Sequence, residues 1–214
     1  LADRTAWTRR ARWVESLSAD DRAAYARDGF VVKRDFLPAE LFARVRAEAS
    51  AHVSQVRQMR QGRAVTRRVT LDLADAGQLP HCVAAANDRR LDRLMRYVAA
   101  HDAVPLMYLQ IIIVDPDRGG QDPQTVLHRD TFHSIAKAWL FLQDVGEDDG
   151  PFAYVPGSHR LTERMRAWEY QQSLQAASSG NVYHARGSFR MPPEDLEGLG
   201  LGPAIKVAVP ANTL

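Results

Sequence analysis

Cysteine is nearly absent. Cys82 is the only one among 214 residues, which excludes an intrachain disulfide and a zinc site built on several thiolates. Long apolar runs are missing too. The longest, Val104 to Val114, is broken by Pro105 and Gln110 and falls short of the roughly 18 apolar residues of a membrane-spanning helix, so no integral membrane segment is expected. Residues 1–12 lack the apolar stretch of a secretory signal, and a reducing cytoplasm is the expected compartment. Glycine (13) and proline (11) are too sparse for collagen or low-complexity disorder. With 45% hydrophobic and 25% charged residues, the composition is that of a soluble globular protein of one domain.

Charge of one sign is lacking as well. The 28 basic and 26 acidic residues leave a net charge of +2, which gives no bulk argument for a nucleic-acid partner. Lysine is scarce: only Lys33, Lys137 and Lys206 occur, so 25 of the basic residues are arginines. Arg57, Arg60, Arg63, Arg67 and Arg68 follow one another with no acid between them. The run reads either as a solvated basic face or as a surface for carboxylate or phosphate, whose geometry the guanidinium fork matches.

The first hundred residues are helical by pattern. Ser18 followed by Asp21 predicts a capped helix with an acidic first turn that stops at Asp28-Gly29. Phe30 to Phe36 reads as a short strand. Pro38 then opens an amphipathic helix carrying Leu41, Phe42, Val45, Ala49 and Val53 on one face, and a second spans about Asp88 to Ala100 with Leu91, Leu94, Met95 and Val98. From Pro105 the pattern changes. Leu106 to Val114 has the composition of a buried strand ended by turn residues, and short β-like runs recur at Thr125–Asp130, Ala136–Leu142, Phe152–Val155 and Ala204–Val209. Leu161 to Ala177 interrupts them as a helical insertion. Closely spaced strands without intervening helices favour an antiparallel barrel or jelly roll, with a helical part of about residues 1–103 packed on a β core from about 104.

Among the histidines, His128 stands out because His128-Arg129-Asp130 sets an imidazole and a carboxylate two residues apart. On an extended segment both reach one ion, as two corners of a 2-His-1-carboxylate face; the same spacing also serves a simple His–Asp hydrogen bond.

The run around that pair is longer and more specific: Leu127-His-Arg-Asp-Thr-Phe-His133, Lys137-Ala-Trp-Leu-Phe-Leu-Gln-Asp-Val145, Glu147-Asp-Asp-Gly-Pro-Phe152 and Tyr154-Val-Pro-Gly-Ser-His-Arg160. Together with Gly29-Phe-Val-Val32 and Phe36-Leu-Pro38, it resembles the phytanoyl-CoA dioxygenase family. The resemblance implies a double-stranded β-helix (jelly-roll, cupin-like) core flanked by helices. It also implies a dioxygenase that binds Fe(II), takes 2-oxoglutarate and O2 as cosubstrates, with ascorbate as an activator, and hydroxylates an unactivated C–H of a small, anionic or neutral, organic substrate. It makes His128 and Asp130 metal ligands and places Trp139, Gln110 and Arg68 against the cosubstrate, where Trp139 also reads as a core tryptophan. His133 and Arg129 become candidate substrate contacts, although alternation turns Arg129 away from the metal. His159 is expected buried and hydrogen-bonded, and His184 does not sit where the family's second histidine lies. That histidine and the arginine that pairs with 2-oxoglutarate belong to a strand expected after Leu214; either the protein continues there, as the lack of an initiating methionine suggests, or the chain is a truncated, inactive member. The rival functions are a cupin-like binding protein without a redox metal and a peripheral binder of anionic lipid using Trp7, Trp13, Arg9, Arg10 and Arg12. Substrate identity and oligomeric state are left open by the sequence.

Overall fold

The computed structural model describes residues 6, 8–52, 57–71, 77–114, 122–131 and 135–214. Helix α1 (Ala19–Asp28) starts where the Ser18 hydroxyl accepts the Asp21 N–H at 3.1 Å and stops at Gly29, whose φ of 91° is open to glycine and strained for other residues. Glycine is needed there for a second reason: a Cβ would collide with the His159 imidazole. Helix α2 (Ala39–Ala51) turns Val45, Leu41, Phe42 and Ala49 toward the main core; Val53 lies outside the described residues. Helix α3 (Pro80–Ala86) receives its cap from another helix, because the Glu48 carboxylate accepts the backbone N–H groups of His81 and Cys82 at 2.9–3.0 Å. Helix α4 (Arg89–Ala99) is capped by Asp88 at its start and closed by Ala100 in the left-handed region.

Strands β1 (Arg57–Gln61), β2 (Ala64–Thr70) and β3 (Tyr108–Val114) form an antiparallel sheet in that order. Val69, Leu71 and Met107 pack on the core of Phe36, Leu37, Val45, Leu79, Cys82, Ala85, Leu91 and Leu214. β3 is the strand expected from its apolar composition, but only Leu109 is buried; Ile111 to Val114 are 42–58% exposed. Such a run suits a strand covered on both faces, and among the described residues this one is buried only at Leu109.

Strands β4 (Phe152–Tyr154) and β5 (Ile205–Val207) form a second, two-stranded antiparallel sheet. Helix α5 (Glu163–Gln175) is the expected insertion, and the short helices α6 (Val182–Ala185) and α7 (Pro193–Gly198) lie beyond it; α5 docks through Met165 on Val155, Met191 and Leu196, and Trp168 Nε1 donates to Asp195 Oδ2 at 2.8 Å.

Three expected strands are reduced to single rungs. Phe30 to Phe36 is irregular, since Asp35 takes a φ of 49° and breaks the extension; Lys33 alone exchanges both backbone bonds with Leu214. Thr125 to Asp130 begins in a 3-10 turn (Pro123–Thr125) and bridges Arg190 only at His128. Ala136 to Leu142 bridges Thr213 only at Phe141. The fold is therefore mixed α and β with antiparallel sheets, and the described residues do not close a double-stranded β-helix. The segment from Val209 to Leu214 ties the halves together: it bonds to Phe141 and Val145 on one side and to Lys33 and Phe36 on the other, while buried Asn212 exchanges two side-chain hydrogen bonds with the Leu37 backbone at 2.8–2.9 Å.

Candidate functional site

His128 and Asp130 meet. Nε2 of His128 lies 3.4 Å from Oδ1 of Asp130, with side chains 15% and 36% exposed. The His128 Nδ1 lies 2.6 Å from the Val126 carbonyl, which can only accept, so Nδ1–H donates there and the ring is turned with Nε2 toward the carboxylate. Two electron-pair donors thus converge on one point from alternate residues of an extended segment. Asp130 is held well below the usual carboxylate range, first by its hydrogen bond to His128 and then by Lys137, whose ammonium reaches Oδ2 at 2.5 Å; these outweigh the opposing effect of burial. Lys137 was not singled out from the sequence, although its rarity as one of three lysines was a usable signal.

The neighbouring residues divide by face. Arg129 turns the other way, as alternation requires, and its Nε pairs with Glu169 Oε1 of α5 at 2.7 Å, so it is not a substrate contact but the link between the insertion helix and the His128 segment. His133 lies outside the described residues. His184 accepts the Arg190 backbone N–H at 3.0 Å, a structural task consistent with its not being a ligand.

Arg68 and Gln110 come together in register on β2 and β3, Arg68 Nε donating to Gln110 Oε1 at 2.6 Å with Tyr108 beside the guanidinium. No described hydrogen bond or ion pair joins them to the His128–Asp130 pair. Trp139 is 39% exposed and leans on Phe152 with ring centroids 4.8 Å apart, so it is not a core tryptophan. The arginine run is not one patch. It forms the β1–β2 hairpin, and the register puts Arg57 and Arg68 on one face, Arg60 and Arg67 on the other, and Arg63 in the turn.

His159 packs against Tyr25 at 5.3 Å, but its buried Nδ1 has no hydrogen-bond partner, which corrects the expectation of a hydrogen-bonded ring. Burial, reinforced by Arg160 and Arg10, holds its pKa below the ordinary histidine value. The Pro156–Arg160 turn is a docking element, with Gly157 N–H on the Asp28 carbonyl and Arg160 Nη2 on the Ala26 carbonyl. Arg10 is equally internal, bonded to the Tyr97 and Val98 carbonyls and the Tyr25 hydroxyl, and Trp13 packs on Tyr25, Tyr97 and Leu17. Two of the residues offered for a lipid surface are thus spent on packing; Arg9 and Arg12 are exposed, and Trp7 is outside the described residues. No helix among the described residues is long and apolar enough to cross a membrane.

Among the described residues no group of three or more histidine, cysteine or carboxylate side chains is gathered for a metal; His128 and Asp130 bring two such donors together. An imidazole and a carboxylate displayed in this way on a mixed α and β fold are the donor types of non-haem metal enzymes. Residues 25–190 match the family model for phytanoyl-CoA dioxygenase (PhyH), and the chain belongs to that family. Enzymes of this family are generally 2-oxoglutarate-dependent dioxygenases that use Fe(II) and O2, and their fold is a jelly roll. No curated protein and no solved structure matches the chain.

Proposed function

We propose that the protein is an Fe(II)- and 2-oxoglutarate-dependent dioxygenase that hydroxylates an unactivated C–H of a small organic substrate, with His128 and Asp130 as two of its three metal ligands. The observation that carries this reading is the pair itself: an imidazole, fixed by Val126, presents Nε2 at 3.4 Å from a carboxylate held anionic. Those donors fit a divalent iron, which accepts one nitrogen and one oxygen and leaves open positions. The third donor of such a face would be a second histidine. When bound, iron with 2-oxoglutarate and O2 supplies the oxidising chemistry.

The chain's own residues orient and shield. The Val126 carbonyl holds the His128 ring, Lys137 occupies the Asp130 oxygen turned away from His128, and the Arg129–Glu169 pair anchors α5 behind the segment. Arg68 and Gln110 offer a guanidinium and an amide as further contacts to 2-oxoglutarate, and Trp139 an exposed aromatic face.

The test is turnover of the cosubstrate alone. Full-length protein with Fe(II), ascorbate and O2 should convert 2-oxoglutarate slowly to succinate without any added substrate, and His128→Ala should stop it. Silence with iron demonstrably bound would instead favour a cupin-like binding protein.

A further inference from the structure

Arg190 is the residue across from His128, and among the described residues no carboxylate pairs with it. Backbone bonds from Arg129 N–H to the Phe189 carbonyl (2.9 Å) and from Met191 N–H to the Leu127 carbonyl (2.8 Å) flank the His128–Arg190 bridge. In an antiparallel ladder that pattern makes His128 and Arg190 a non-hydrogen-bonded pair, the kind whose side chains stand closest and on the same face. Arg129, one residue away, takes the opposite face.

The two arginines differ in what they meet. Arg129 ends on a carboxylate, Glu169. Arg190 donates one Nη1 bond to the neutral Pro123 carbonyl at 3.2 Å, lies over the Tyr183 ring at 4.5 Å, and has no carboxylate within ion-pair distance among the described residues. The nearest candidate, Asp130, is close enough for its charge to be felt at Arg190, yet its oxygens are directed to His128 and Lys137. Arg190 is also half-buried, and its backbone is pinned by His184, which packs edge-on against Phe189 at 5.7 Å. A partly desolvated guanidinium held in place by a ring and a carbonyl, with donors unspent beside two metal ligands, is built to receive an oxyanion.

We infer that Arg190 binds an anionic group of the substrate, a carboxylate or phosphate, and so positions the C–H to be oxidised beside His128 and Asp130. This rests on the proposed oxygenase reading for the role of the neighbouring pair. It assigns the substrate's charge to a residue at the pair rather than to the divided arginine run of the β1–β2 hairpin. Arg190 acts as a specificity-determining residue: it sets which molecules bind and where they lie, and moves no proton.

The test separates the two readings. Full-length protein is loaded with Zn(II) as a redox-inert probe; loss of zinc binding in His128→Ala checks the metal pair independently of Arg190. Inorganic phosphate, propionate and neutral propionamide are then titrated while arginine Nε–H signals are followed by NMR, Arg190 being assigned by its absence in Arg190→Lys. Phosphate and propionate should shift the Arg190 signal to saturation, and propionamide should not. Arg190→Leu should weaken anion binding at least about tenfold, with Arg190→Lys between it and wild type because the fork is lost but the charge kept. Zinc affinity should stay near wild type in both variants, and saturating 2-oxoglutarate should leave the anion response intact. Three results each overturn the assignment: no saturable shift at Arg190, displacement by 2-oxoglutarate, which would make Arg190 a cosubstrate contact, and loss of zinc affinity in Arg190→Lys, which would make it structural. Failure of zinc binding with an intact anion response would overturn the metal reading and leave the anion site standing.

Discussion

The Lys137 ammonium sits 2.5 Å from Oδ2 of Asp130, on the carboxylate oxygen that His128 leaves free. Both partners favour the ionised form, His128 more strongly, so Asp130 titrates below its ordinary value. A carboxyl whose native pKa is depressed stabilises the fold above its unfolded value of about 3.9, and that stabilisation is lost as pH falls through the lower native value. In metal-free protein, the Asp130 carboxylate followed by 13C NMR should titrate at higher pH in His128→Ala and, by a smaller step, in Lys137→Met. An unmoved titration in both variants would mean that neither partner holds the charge.

Glycine at position 29 answers to two demands, a φ of 91° and the room taken by His159. Gly29→Ala should cost about 2 kcal/mol or more, from left-handed strain plus overpacking against the imidazole. Thermal unfolding should show part of that loss recovered in Gly29→Ala/His159→Ala. If the double variant is as unstable as the sum of the singles, the collision is not the cause.

Arg129 and Glu169 tie α5 to the His128 segment with side chains 28% and 16% exposed. Removing either alone leaves a partly buried charge unpaired, at a cost of about 1–3 kcal/mol. The double substitution should cost less than the sum. Strict additivity in denaturant unfolding would show that the two do not interact.

Much of this arrangement is legible in the residues themselves. Ser18 and Gly29 mark the ends of α1, Pro38 and Asp88 the starts of α2 and α4, and the apolar spacing of α2 and α4 gives their buried faces, because these signals act within a few residues. The pairing of His128 with Asp130 follows from alternation over two positions. What the sequence does not reveal depends on distant partners. The arginine run looks continuous until the β1–β2 register splits it between two faces. Thr125 to Asp130 has the composition of a strand but only one bridge to make. The neutral surroundings of Arg190 exist only once Phe189 to Met191 folds back on Leu127 to Arg129. His159 looks like a hydrogen-bonded core histidine, and only packing against Gly29 and Tyr25 shows why its Nδ1 is left without a partner.

The hairpin arginines give a further prediction. Arg68 is held by Gln110 on the face it shares with Arg57 and Tyr108, whereas Arg60 stands on the other. Arg68→Met should raise the apparent KM for 2-oxoglutarate several-fold with kcat near wild type, as loss of uniform binding requires. Arg60→Glu should change neither value, at low salt or high. Equal effects of the two substitutions would return the run to a single electrostatic surface.

The most direct measurement is of iron itself. Full-length protein purified without oxygen should hold about one Fe(II), and Asp130→Ala and His128→Ala should each weaken binding at least about tenfold, because each removes a ligand from a three-donor face. Iron retained equally by wild type and both variants would contradict the assignment of His128 and Asp130 as the metal pair.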